Sequence, residues 1–380
     1  MKKILYVSGT RADYGLMRET LFSIKRHPNL KIEIAVTGMH LMPEFGKTID
    51  EVKKDGFKIH KIGATYKKDS KESMVNFMGE LIGLLTKEIK KIKPDMILLL
   101  GDRGEMLVGA IVGAYLTIPV AHIQGGDVSS TVDDAARHAI TKLSHIHFPA
   151  NENSAERIKK MGEESWRIFV VGSPGLDSVL NEKLFSRKEI AKKYNLDISQ
   201  PILLVIQHPV TTEIENAAAQ IKQTMEAVKE LRFKTIVIYP NADAGGRKMI
   251  KVIEEYRKYP FIKIYKSVSH KDYLSLMEAA DVMVGNSSSG LIEAPSFHLP
   301  MVNIGKRQEG REKTANVINV GYKKEEIKKA IEKAIYDKKF KEKVKKCKNP
   351  YGDGKTGTRI AGILDKIKIN KKLLEKKITF

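Results

Sequence analysis

Short β-branched and aliphatic runs separated by longer amphipathic stretches constrain this chain more than any other feature. Residues 4–7, 32–37, 96–100 and 120–123 read as buried strands, and the segments between them read as helices. Parallel strands need crossover connections, so this rhythm predicts a mostly parallel sheet covered on both faces. After Ser173-Pro174-Gly175 and a polar, lysine-rich stretch the rhythm restarts, with strands expected at 202–206, 235–239, 262–265, 282–284 and 301–304. The expectation is an α/β protein of two doubly wound, Rossmann-like domains, spanning 1–178 and 179–354. A last segment, 355–380, follows, in which residues 358–377 read as one long basic amphipathic helix packing back across the first domain. Two such domains suit a ligand held in a cleft at the carboxyl ends of both sets of strands.

A length of 380 residues fits two domains of roughly 100–200 residues each. Hydrophobic residues at 42% and charged residues at 30% exclude a disordered chain, and no apolar run approaches the ~20 residues of a membrane span. The first residues lead from an apolar stretch straight into Arg11 and Asp13, which is not a secretory leader, so a cytoplasmic location is expected. The single cysteine, Cys347, excludes an internal disulfide framework and any all-cysteine metal site within one chain. The net charge is +21, but residues 321–380 hold 20 Lys and Arg against 8 Asp and Glu, so +12 of it lies in the tail. Its lysines alternate with Ile and Leu at helical spacing and no nucleic-acid motif appears, so no nucleic-acid partner is expected.

Three local patterns are decoys. The run Gly352-Asp353-Gly354-Lys355-Thr356-Gly357 mimics a dinucleotide fingerprint without the preceding strand that the motif needs, and reads as a turn opening the last helix. His145-Ile146-His147 could pair on a metal but reads as alternating residues of a short strand making ordinary hydrogen bonds. Asn286-Ser287-Ser288 fits a glycosylation sequon that a cytoplasmic chain does not use.

Four polar clusters fall where strands should end. Ser8-Gly9-Thr10-Arg11 precedes a helix, where backbone N–H groups and Arg11 can meet an anion. Gly101-Asp102-Arg103 follows the 96–100 run and turns an aspartate toward the cleft. His122-Ile123-Gln124-Gly125-Gly126-Asp127, then Asp133-Asp134-Ala135-Ala136-Arg137-His138, gathers carboxylates near one strand end, as acid/base chemistry on a sugar carbon requires. In the second half, Gly285-Asn286-Ser287-Ser288-Ser289-Gly290 supplies hydroxyls and N–H groups for a diphosphate, and Glu293 is placed to take two ribose hydroxyls.

Taken in order, S-G-T-R-A-D-Y-G (8–15), T-G-M-H (37–40), G-D-R (101–103), D-D-x-x-R-H-A-I-T-K-L-S-H (133–145), Q-H-P-V-T-T-E (207–213), N-A-D-A-G (241–245), G-N-S-S-S-G-L-I-E-A-P-S (285–296) and N-I-G-x-R-Q-x-G-R (303–311) cover nearly the whole chain. The pattern resembles the hydrolysing UDP-N-acetylglucosamine 2-epimerases. That resemblance implies the glycosyltransferase-B architecture with a C-terminal helix crossing back, and conversion of UDP-GlcNAc and water to ManNAc and UDP. UDP leaves with loss of the C2 proton, a 2-acetamidoglucal forms, and water adds with inversion at C2. Alternatives are the same reaction on a UDP-2,4-diacetamido-trideoxyhexose or a GDP-sugar, a non-hydrolysing 2-epimerase, or a glycosyltransferase of the same fold. The resemblance assigns catalytic roles to Asp102, Asp127, Asp133, Arg137 and His208. UDP and its phosphates fall to Arg11, Asn241, Ser287, Ser288, Ser289, Gly290, Glu293 and Arg307, and the sugar side to Gln124 and His40. It implies no metal and no cofactor, a nucleotide-sugar substrate, and a homodimer or homotetramer. One departure stands out: where several members carry glutamate, this chain has Gln124, which cannot exchange a proton at neutral pH. Either Asp127 or Asp133 assumes the role, or the substrate differs.

Overall fold

The computed structural model describes residues 1–46, 48–129 and 132–379. The first half builds β1 (Lys2–Ser8), β2 (Leu30–Val36), β3 (Lys58–Lys61), β4 (Met96–Leu100), β5 (Val120–Ile123) and β6 (Ile146–Phe148) into one parallel sheet of order β3-β2-β1-β4-β5-β6. The second builds β7 (Ile202–Ile206), β8 (Lys234–Ile238), β9 (Ile262–Tyr265), β10 (Val282–Gly285), β11 (Met301–Ile304) and β12 (Val317–Val320) into another, of order β12-β11-β10-β7-β8-β9. Helices flank both sheets, giving the two-domain α/β architecture of the glycosyltransferase-B type.

The aliphatic runs become central strands because both of their faces are covered. In β1, Ile4 and Tyr6 join one buried cluster and Leu5 and Val7 another, so the period-2 alternation reads as a continuous apolar run. The strands missed by periodicity lie at the edges: β3 is Lys-Ile-His-Lys, half-buried or exposed throughout, and β12 is the partly exposed Val-Ile-Asn-Val. Chain order reverses between β1 and β4 in the first sheet and between β7 and β10 in the second. These switch points open crevices at the strands' carboxyl ends, which is where the polar clusters emerge.

The tail does return to the first sheet, but not as one helix. The helix Thr356–Lys366 buries Ile360, Ala361 and Leu364 in the first sheet's core. Its first N–H groups, on Thr356 and Gly357, donate to the Asp177 carboxylate at 2.9 and 2.6 Å. A Cβ on Gly357 would stand 2.8 Å from Thr20 Cα, so glycine there permits the close crossing over the helix Arg11–Arg26. The expected single helix over 358–377 ends at Lys366 for a physical reason. Lys2 Nζ takes the carbonyl oxygens of Leu364 and Ile367, and Asn370 caps a separate turn, Lys371–Leu374. Arg167 then gathers the Lys372, Leu373 and Glu375 carbonyls and pins the end of the chain. On β6, His147 Nε2 meets Glu163 at 3.0 Å, and the neighbouring His145 Nδ1 accepts from the Val120 N–H. Among the described residues no helix is long and apolar enough to cross a membrane.

Candidate active site

One cleft between the carboxyl edges of the two sheets holds about 1570 Å³ of empty space, solvent at its mouth included. Its walls carry all four polar clusters.

Cationic groups crowd one region. Thr10 and Asp13 form a capping box, the Asp13 carboxylate accepting from the Gly9 and Thr10 N–H groups at 3.0 and 2.6 Å, and this turn presents Arg11 to the cleft. Burial pushes Arg11 downward in pKa, partly offset by Glu51 and two tyrosines. Arg307 is pushed the same way by burial, against Asp133 and Asp243, which pull it up. Guanidinium groups keep their proton nonetheless, so the crowding creates a positive field that an anion relieves. His208, just after β7, is held by the end of the neighbouring β10: its backbone N–H donates to Asn286 Oδ1 at 2.7 Å, and Asn286 Nδ2 donates to its carbonyl at 2.9 Å. The Asn241 N–H donates to His208 Nδ1 at 3.1 Å, so a neutral ring carries its proton on Nε2. Burial, then Arg307 and Arg103, push this imidazole well below its ordinary range, which keeps it neutral and a donor. Beside it Ser287 and Ser289 lie 3.2 Å apart, Oγ to Oγ, at the turn after β10. Among the described residues Glu293 Oε1 is buried with no hydrogen-bond partner, and burial raises this carboxyl to about 7.

Carboxylates line the opposite region. The largely buried Arg137 pairs with Asp102 through Nη2, while Nη1 donates to the Asp127 carbonyl at 3.0 Å. Asp127 Oδ1 accepts from Ser154 Oγ at 2.7 Å, and Oδ2 lies 3.8 Å from Arg311 of the second half. Asp133 faces Arg307 across the same gap at 3.8 Å. Gln124, in a left-handed backbone conformation with φ of 59°, donates from Nε2 to Ser173 Oγ at 2.8 Å. Arg307 and Arg311 of the second half thus come within 3.8 Å of carboxylates of the first, inside the lining of the same cleft.

Two expected residues stand elsewhere. His40 does not line the cleft: the tight turn Gly38–Leu41 folds it beneath the floor, where Ser8 and Thr48 hydroxyls take its two ring nitrogens at 2.9 and 2.8 Å. Burial holds it near a pKa of about 4, a neutral strut. Gly290 also lies behind the wall, where a Cβ would sit 2.4 Å from Met301 Sδ; its glycine serves packing. The remaining expected residues, Arg11, Asp102, Gln124, Asp127, Asp133, Arg137, His208, Asn241, Ser287, Ser288, Ser289, Glu293 and Arg307, all line it. Sequence reasoning passed over Arg103, Asp243 and Arg311, although each ends or sits inside a motif already recognised. It also passed over His270 and Tyr273, which reach the wall from a helix with no local signature.

A family profile described as UDP-N-acetylglucosamine 2-epimerase matches residues 23–365. The chain belongs to the UDP-N-acetylglucosamine 2-epimerase family. It is 41% identical over 378 residues, 99% of both chains, to the UDP-N,N'-diacetylbacillosamine 2-epimerase (hydrolyzing) of Legionella pneumophila. Identity is 37% to a UDP-N-acetylglucosamine 2-epimerase of Neisseria meningitidis, covering 90% of this chain and 89% of that one. Among solved structures, UDP-GlcNAc 2-epimerase from Neisseria meningitidis bound to UDP-GlcNAc superposes with a TM-score of 0.80 at 19% identity, over 95% of this chain and 99% of that chain. At that identity the likeness speaks for the 2-epimerase fold.

Proposed function

We propose that this 2-epimerase family member hydrolyses a UDP-linked 2-acetamido sugar with inversion at C2, and that its substrate is the UDP-2,4-diacetamido-trideoxyhexose. The reading is supported by one observation: the carboxylates Asp102, Asp127 and Asp133 line the same cleft as Arg11, Arg307, His208 and the Ser287–Ser289 hydroxyls. In this mechanism a carboxylate at the sugar, Asp102 held by Arg137, removes the C2 proton. The C2–H electrons form the C1=C2 bond and the C1–O pair departs with UDP, whose growing charge meets Arg11, Arg307, the Ser287–Ser289 turn and the Nε2–H of His208. Water then adds at C1 while C2 is protonated from the opposite face, releasing the 2-epimeric sugar. Gln124 cannot carry that proton, so Asp127 or Asp133 supplies the second proton-transfer group.

The relative 41% identical along both whole chains favours the diacetamido sugar over the UDP-GlcNAc first expected. UDP-GlcNAc remains the second reading, supported by the Neisseria meningitidis relative. Purified protein offered each nucleotide sugar without an acceptor should release UDP, with the larger kcat/KM for the diacetamido sugar. UDP release that requires an added acceptor would refute hydrolysis in favour of transfer. The same reading makes the protein a cytoplasmic homodimer or homotetramer, tested for assembly by light scattering on the purified chain.

A further inference from the structure

We propose that Arg103 and Asp243 form a latch that closes the cleft and, through Asn241, sets the ring of His208 as a hydrogen-bond donor. Arg103 stands at the end of the β4 turn, just before the helix Gly104–Tyr115 of the first half. Asp243 lies in the second half, in the loop between β8 and the helix Gly246–Glu254. Arg103 Nη2 donates to Asp243 Oδ1 and to the Tyr66 hydroxyl, both at 3.3 Å, and its Nε lies 3.3 Å from Glu105 Oε2. With side chains 19% and 8% exposed, the pair is shielded in the closed cleft, so its attraction is screened less than that of a surface pair.

The other Asp243 oxygen accepts from Asn241 Nδ2 at 2.5 Å, and the Asn241 N–H is the donor that occupies His208 Nδ1 at 3.1 Å. One carboxylate therefore joins a guanidinium of the first half to the loop that fixes the imidazole in the second. Asn286 anchors the His208 backbone independently, so freeing the latch frees the ring and leaves the strand end intact. Further crossings grip the same loop and the helix after it, among them the Ala242 N–H on Met39 Sδ at 3.4 Å. Asp69 accepts from the Gly245 and Lys248 N–H groups at 2.7 and 3.2 Å, and the more exposed Arg247 pairs with Glu44. In the open cleft His208 can take either tautomer; in the closed cleft it presents Nε2–H. The latch rests on the geometry alone, while the part it plays in turnover rests on the proposed reaction, in which His208 meets the diphosphate.

The test compares Arg103→Gln, Asp243→Asn and their double variant with Arg247→Gln, a crossing that lies outside the Asp243–Asn241–His208 chain of hydrogen bonds. Small-angle X-ray scattering of the ligand-free proteins reads closure, 15N-histidine NMR reads the His208 Nδ1 acceptor, and steady-state kinetics reads turnover. Both latch variants should expand the protein, shift the His208 signal toward mixed tautomers and lower kcat by about tenfold or more, with the UDP Kd changed less than about threefold. The double variant should be no worse than either single, because both remove one contact. Arg247→Gln should keep the wild-type histidine signal and kcat. Latch variants that scatter as the wild type and retain its His208 signal overturn the proposal, as do single losses that multiply in the double variant. A lower melting temperature with His208 unchanged would mark a merely structural pair and also overturn it. Should no nucleotide sugar be turned over by the wild type, the functional reading fails, and scattering and NMR still decide the latch.

Discussion

Glu293→Gln separates what the empty cleft endures from what the nucleotide brings. Burial lifts the Glu293 carboxyl from its ordinary 4.5 to about 7 and leaves Oε1 without a donor. A shift of that size corresponds to about 3 kcal/mol of penalty on the charged form. A folded-state pKa raised above the unfolded value adds stability that is complete below about pH 4.5 and is lost as pH rises through about 7. The ligand-free wild type and Glu293→Gln should therefore melt together near pH 5, and the variant should melt several degrees higher near pH 8. Ribose hydroxyls donating into the carboxylate reverse the preference, because they favour the ionised form. Binding of a UDP-sugar should then release about half a proton near pH 7 and more at lower pH. Its affinity should rise with pH toward neutrality and level off above, whereas Glu293→Gln should bind with a flat pH profile. Isothermal titration calorimetry in buffers of different ionisation heats, on an Asp102→Asn background that blocks turnover, measures both quantities. The reasoning is refuted if the variant keeps the wild-type pH slope or if the wild type takes up protons on binding.

Asp102→Asn should lower kcat by about a thousandfold with UDP affinity nearly unchanged, and should destabilise the fold by about 1–2 kcal/mol because Arg137 keeps only Asp134, at 3.6 Å, as a charged partner; an equal loss of UDP affinity would remove Asp102 from the sugar side. Ser288→Ala should weaken UDP binding by about 1–3 kcal/mol in equilibrium dialysis if it leaves a phosphate oxygen unpaired, and unchanged binding would dissolve that assignment. Asp177→Ala takes away the acceptor of the Thr356 and Gly357 N–H groups and should cost about 1–2 kcal/mol in urea denaturation, with faster hydrogen exchange confined first to residues 356–366.

The sheets were legible because central parallel strands are apolar on both faces, a signal that needs no partner to be read. The edge strands β3 and β12 were not, since exposed residues such as Lys58 and Asn319 interrupt the apolar run. The break after Lys366 was invisible for another reason: the donor that ends the helix, Lys2 Nζ, comes from the other end of the chain. At the site, the residues on turns directly after strands line the cleft, because a strand's end fixes where its turn emerges. His40 was misplaced because a tight turn, a matter of one or two dihedral angles, rotates it under the floor. Arg103 and Asp243 carry a role that exists only between the halves, and no local pattern encodes a contact 140 residues apart in sequence.

The most direct test of hydrolytic epimerisation is proton NMR of the UDP-2,4-diacetamido sugar, and of UDP-GlcNAc alongside it, incubated with the protein in deuterated water. Free UDP together with a released sugar inverted and deuterated at C2 is the predicted result, faster for the diacetamido substrate. A released sugar that keeps its C2 proton, or an epimer that stays linked to UDP, would contradict it.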